Sequence, residues 1–93
     1  MQNSLGSSVE TLYKLCDGKA EALEFRVAKG SAVCGLPLME LQLKPGILIA
    51  AINRGGRIRI PSGRDTIEAG DTVIVVTDTP GLSELDAILR TEG

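Results

Sequence analysis

The sequence predicts an α+β fold: a compact sandwich of a small β-sheet with short helices, preceded by an N-terminal linker helix. Three observations carry this. Residues 47–52 (ILIAAI) and 72–77 (TVIVVT) are apolar, largely β-branched runs of strand length. Residues 22–28 alternate, with Leu23, Phe25 and Val27 on one face and Glu24 and Arg26 on the other, the mark of a half-buried strand. Between and around these runs, three segments carry apolar residues at helical spacing.

Taken in order, residues 1–6 form a lead-in. Ser7-Ser8-Val9-Glu10 fits a capping box. Behind it Val9, Leu12, Tyr13 and Cys16 recur at helical spacing, and Gly18 offers a C-cap, so residues 1–19 are assigned to a linker helix and 20–93 to the domain proper. So short a helix is not stable alone and must pack on something. After the strand at 22–28 and a loop at 30–35, residues 36–43 read as a short helix with Pro37 in its first turn. The continuous run 47–52 is expected to be covered on both faces. Gly55-Gly56 then turns the chain into a short strand at 58–60, which Pro61 ends. A loop follows, with a turn at Ala69-Gly70-Asp71, then the strand at 72–77. A last helix begins with Thr79 as N-cap and Pro80 at its first position, and Leu82, Leu85, Ile88 and Leu89 line one face.

With 93 residues there is one domain, and its core has little to spare. Tyr13 and Phe25 are the only aromatic residues, so the core is aliphatic and dimerisation is a natural supplement. A net charge of −2 argues against a nucleic-acid partner or an anionic-membrane binder. The sequence has no histidine, which removes the usual general base, Ser-His and Cys-His pairs, and histidine-ligated zinc. Cys16 and Cys34 have no C-x-x-C spacing and read as buried reduced thiols. The apolar run 47–52 is too short to cross a bilayer, and the N-terminus has no basic region followed by an apolar run; the expectation is a cytoplasmic protein without membrane insertion.

Three motifs carry candidate chemistry. Arg54, Arg57, Arg59 and Arg64 surround the Gly-Gly hairpin. Guanidinium forks beside glycine suit a phosphate, but arginines at a hairpin tip also guard a sheet edge, and both readings stay open. Ala50 and Ala51 are small for a core strand, leaving room for a ligand or a partner, or for a helix lying close. Asp65, Glu68 and Asp71 form a carboxylate cluster. It would serve a divalent cation, or a substrate in an accessory domain of an enzyme, but matches no calcium-loop spacing, and Asp71 suits the turn before its strand. Residues 30–35 (GSAVCG) have the glycine spacing of a phosphate loop but continue Leu36-Pro37 in place of Lys-Ser/Thr, so they are set aside.

From residue 33 to 77 the chain resembles the RCK_C (TrkA-C) domain, the C-terminal regulatory half of Trk/Ktr-type potassium-uptake proteins. The resemblance rests on Gly35-Leu36-Pro37-Leu38, on Ala51-Ile52-Asn53-Arg54-Gly55, on Ile60-Pro61, and on Gly70-Asp71 leading into Val73–Val76. It extends over residues 20–90, and the segment before it is similar to a connector in a longer parent. The resemblance implies a non-enzymatic sensor beneath a membrane potassium transporter. In such proteins an N-terminal half binds NAD(H) or ATP/ADP, while the C-terminal half dimerises and in some members binds cyclic di-AMP at the dimer interface. This chain has no G-x-G-x-x-G and is not expected to bind the dinucleotide or ATP in that way. Carried over, the ligand site is Ile49, Ala51, Asn53, Arg54, Ile60 and Pro61, with no metal and no catalytic residue. The expected partners are a second copy, the rest of a TrkA-type parent and a potassium transporter subunit. The rival readings are a dimerisation module without a ligand and the accessory domain with its carboxylate cluster.

Overall fold

The computed structural model describes residues 8–79, 81–82 and 84–89. Five strands make one antiparallel sheet: β1 (Ser8–Leu15), β2 (Ala20–Arg26), β3 (Ile47–Arg54), β4 (Arg57–Arg59) and β5 (Thr72–Thr77). Their order across the sheet is β1-β2-β5-β3-β4. The two most β-branched runs, β3 and β5, are therefore neighbours near its centre.

The expected linker helix is replaced by β1. Lys19 N–H donates to the Cys16 carbonyl at 3.1 Å across Asp17 (φ 59°, ψ 36°) and Gly18 (φ 84°), a left-handed two-residue turn. Asp-Gly favours this turn because glycine has no Cβ to clash and aspartate tolerates the conformation, and its twist matches that of paired strands. A lone eight-residue helix has no stabilising partner, whereas β1 gains a ladder to β2 with Leu12 opposite Leu23 and Val9 opposite Phe25. Of the capping-box pair, Ser7 lies outside the described residues and Glu10 sits in a β-bulge.

The other two expected helices are single 3₁₀ turns, Leu38–Glu40 and Leu85–Ile88; among the described residues there is no α-helix. At Pro37 the backbone is extended (φ −58°, ψ 145°), and the N–H groups of Leu38 and Met39 donate to the carbonyls of Asp65 and Gly63. Those donors serve a neighbouring loop instead of following a helix. Thr79 N–H bonds the Thr77 hydroxyl, and Gly81 has φ 100°, so no continuous helix runs from 79; Pro80 lies outside the described residues.

The alternation in β2 holds. Leu23, Phe25 and Val27 face the core with Ile49, Ile52, Val73 and Val75, beneath a cover of Val33, Leu41, Ile67, Leu85 and Ile88. Burying such side chains contributes about 1.5–3 kcal/mol each. Among the described residues the sheet is covered on one face only. On the outer face Ala22, Ile74 and Val76 are half-buried and Leu48 is 62% exposed, which corrects the expectation that both faces of residues 47–52 are covered. Against the expectation of buried thiols, Cys34 is half-buried and Cys16 lies exposed in the β1–β2 turn, whose left-handed backbone it shares (φ 53°).

Phe25 is fully enclosed beside Val73, its cross-strand partner. Phe25→Ala is expected to destabilise by about 3–5 kcal/mol, read as a lower urea midpoint.

Candidate functional site

Residues 53–71 form one end of the sheet, and their polar groups are joined through Asp71. This carboxylate is only 3% exposed. It accepts from Arg54 Nε at 2.9 Å and Arg54 Nη2 at 2.8 Å, a two-pronged pair, and from the Glu68 N–H at 2.9 Å. The same Nη2 donates to the Thr66 carbonyl at 3.0 Å. A turn closed by Asp71 N–H to the Glu68 carbonyl brings Asp71 here, and Val27 and Gly70 continue the β2–β5 pairing past Arg26 and Thr72. The expected turn at 69–71 is thus present, with Asp71 bracing it.

Burial alone would push the Asp71 carboxyl up. The Arg54 hydrogen bonds, the Glu68 N–H and the Arg54 charge outweigh it and hold the carboxyl below the usual carboxylate range. A second, more exposed pair lies alongside: Arg59 Nη2 donates to Asp65 Oδ1 at 2.9 Å, and the Ser62 N–H donates to Asp65 Oδ2 at 2.7 Å. Foremost through that Ser62 bond, with help from the Arg59 charge, the Asp65 carboxyl is also held low.

The four hairpin arginines therefore divide. All four are exposed, but among the described residues only Arg54 and Arg59 form ion pairs within the chain. The hairpin tip itself is a left-handed Gly55-Gly56 turn (φ 62° and 87°) that sets Arg54 opposite Arg57. The carboxylates also part company. Asp71 goes to Arg54, Asp65 to Arg59, and Glu68 Oε2 accepts from the Thr66 hydroxyl at 3.2 Å. Among the described residues no group of three or more His, Cys, Asp or Glu is placed to hold a metal ion.

The residues carried over as a ligand site fall on different faces, because β3 bulges at Ala50. Ile49 pairs with Val75 on the core face, but the register then shifts so that Ala51 pairs with Ile74 on the outer face. Asn53 follows on that outer face, with its Oδ1 buried and without a hydrogen-bond partner. Directly across from Asn53 is Ile58, 65% exposed, a residue the sequence reading did not single out although it lies in the same short alternation as Ile60. Ile60 is 80% exposed and Pro61 half-buried, just past the end of β4. Ala51, Asn53 and Ile58 thus share one small outer-face patch. Ile49 lies beneath the sheet, and Arg54 is committed to Asp71. A depression of about 480 Å³ lies at the opposite end of β3 and β5, between Lys44, Ile47, Thr77, Thr79, Leu82 and Glu84, away from every one of these residues.

The family model of the TrkA-C domain matches residues 22–90. The chain belongs to the TrkA-C domain family. Its relatives include a Trk system potassium uptake protein TrkA homolog of Archaeoglobus fulgidus, 38% identical over 76% of this chain and 16% of that protein. A TrkA homolog 1 of Methanosarcina mazei is 28% identical over 94% of this chain and 19% of the relative. The Trk system potassium uptake protein TrkA of Azorhizobium caulinodans is 26% identical over 97% of this chain and 20% of the relative. This TrkA-C chain thus spans a fifth or less of the length of these three relatives. Among its described residues no helix is long and apolar enough to cross a membrane.

Asp71→Ala, which removes the acceptor from the Glu68 N–H and from Arg54, is expected to lower stability at neutral pH by about 2–3 kcal/mol. Because the folded carboxyl is held low, its contribution is fully present above the unfolded carboxylate value of 3.8 and is lost as pH falls through the folded value. Urea melts at neutral pH and at about pH 3 check this: the gap between wild type and variant narrows in acid.

Proposed function

We propose that this TrkA-C domain is a non-enzymatic regulatory module of a cytoplasmic potassium-uptake assembly. Two copies associate, and a small ligand such as cyclic di-AMP shifts the balance between two arrangements of the pair. The observation that carries the reading is the family match across residues 22–90, joined to relatives named as Trk system potassium uptake proteins. On this reading residues 20–93 are the regulatory domain and 1–19 connect it to the rest of a TrkA-type parent, which acts on a membrane potassium transporter subunit.

The geometry supports a particular placement of the ligand. The outer-face patch offers an apolar floor at Ala51 and Ile58 and one buried acceptor, Asn53 Oδ1, that a ligand N–H would satisfy. Ile60 and Pro61 border it. Arg54 and Ile49 act from behind: Arg54 fixes the end of β3 to the 66–71 loop, and Ile49 supports the strand from the core. The uncovered outer face, with Leu48 and Ile58 exposed, is where a second copy closes over the patch. A ligand regulates here only as far as it binds one arrangement more tightly than the other.

A second reading has one observation in its favour. Arg54, the residue that best suits a phosphate, already spends Nε and Nη2 on Asp71 and Thr66. A dimerisation module without a ligand would have the same arrangement.

Titration calorimetry of cyclic di-AMP into the chain, with its mass in solution recorded on the same sample, separates the two. Regulation by ligand predicts about one ligand per dimer and roughly tenfold weaker binding in Asn53→Ala. A dimer that takes up no heat identifies the module without a ligand.

A further inference from the structure

The core face of the sheet ends in a rung that is not wholly apolar. At the end remote from the Gly55-Gly56 hairpin, Glu21 of β2 pairs with Thr77 of β5, and Thr77 pairs with Ile47 of β3. By the alternation of these strands the three side chains share the face that carries Leu23, Val75 and Ile49. Glu21 is only 6% exposed, and its Oε1 is buried without a hydrogen-bond partner. Leaving such an oxygen unpaired costs free energy, so a donor that completes it gains more than one offered at the surface. Lys14, across the ladder on β1, does not supply that donor.

Two members of this rung, Thr77 and Ile47, also line the depression of about 480 Å³, a volume that suits a small molecule. Leu82 and Ala87 add apolar surface to it, and Lys44 and Glu84 bring opposite charges. Both charged residues are exposed and make no ion pair among the described residues. The threonine hydroxyls are already engaged: Thr77 Oγ1 accepts from the Thr79 N–H at 3.1 Å, and Thr79 Oγ1 donates to Asp78 Oδ1 at 3.1 Å. The groups left for a ligand are two carboxylates and one ammonium around an apolar middle. Lys44 leads into β3 and Glu21 lies on β2; these strands flank β5, two strand spacings or roughly 10 Å apart.

We infer that this end of the domain binds a small zwitterion, an amino acid whose primary amine and carboxylate are held several methylenes apart. The amine meets the Glu21 carboxyl, turned about its side-chain torsions toward Thr77, and the carboxylate meets Lys44. The methylenes lie against Ile47 and Leu82. A bare cation would be repelled by Lys44, and a bare anion would face both carboxylates. The site is at the opposite end of β3 and β5 from the Asn53 patch and does not rest on the proposed function.

6-Aminohexanoate has this separation of charges and is the probe. Titrated into the isotopically labelled 93-residue chain, it is expected to shift the amide resonances of Ile47, Thr77, Thr79 and Leu82 to saturation. The amides of Ala51 and Asn53 stay in place. Glu21→Gln and Lys44→Met are each expected to weaken binding roughly tenfold, as is replacing the probe by hexanoate, without the amine, or hexylamine, without the carboxylate. The same spectra show whether each variant keeps its fold. Lys44 is exposed, so Lys44→Met tests the site even where Glu21→Gln disturbs the core. No saturable shift at the four amides overturns the inference. So does binding that is unchanged in a folded Glu21→Gln or in Lys44→Met.

Discussion

Asp71 is a buried carboxylate at the foot of the central strand, and the shape of one whole end of the domain follows from how its charge is satisfied. Removing a carboxylate from water costs several kcal/mol unless donors replace the lost hydration. Here the replacements come from two parts of the chain. The Glu68 N–H closes the turn into β5, the Arg54 fork brings in the end of β3, and Arg54 Nη2 reaches on to the Thr66 carbonyl. That holds the 66–71 loop over the sheet, where Ile67 is fully buried. The core under this loop is closed by a polar clamp as much as by its own apolar contacts.

The second organising feature is that, among the described residues, the sheet has only one covered face. A small aliphatic core is filled by irregular connections carrying Val33, Leu41, Ile67, Leu85 and Ile88, and nothing among the described residues lies over the outer face. The bulge at Ala50 decides which residues appear there. Without it the side chains of β3 would keep strict alternation, and Ile49 and Ala51 would share a face; with it, Ala51 and Asn53 turn outward while Ile52 turns in. A patch with a small floor and one unsatisfied oxygen is the result.

What was legible in the sequence, and what was not, follows the same physics. Strict alternation in β2 and the β-branched runs of β3 and β5 could be read because each pattern fits only one kind of backbone. Gly55-Gly56 and the turn at Asp71 could be read because few residues accept those conformations. The helices could not. Val9, Leu12, Tyr13 and Cys16 satisfy a helical spacing over too short a span to decide, and Asp17-Gly18 ends a helix or turns a hairpin equally well. In residues 36–43 and 79–89 the apolar positions were identified, but the spacing is silent about backbone donors, which Asp65, Gly63 and the Thr77 hydroxyl take up. Of the candidate site, the spacing places Asn53 and Ala51 together, whereas a single bulge, invisible in the spacing, sends Ile49 to the other face.

The arginines illustrate why residue type alone underdetermines a site. All four sit within a few residues of one Gly-Gly turn, yet only their partners separate them. Arg54 lies on the core side of β3, where Asp71 is buried and must be neutralised; Arg59 meets Asp65 at the turn beside β4. Nε and Nη2 of Arg54 are spent in this way, and the proposed recognition by the patch therefore centres on the neutral acceptor of Asn53 next to it. That placement has a mechanical consequence. Asn53 and Arg54 are consecutive on β3 and point to opposite sides of the sheet, so any pull on the outer side of this strand end bears directly on the clamp beneath it, and the 66–71 loop is the element the clamp would move.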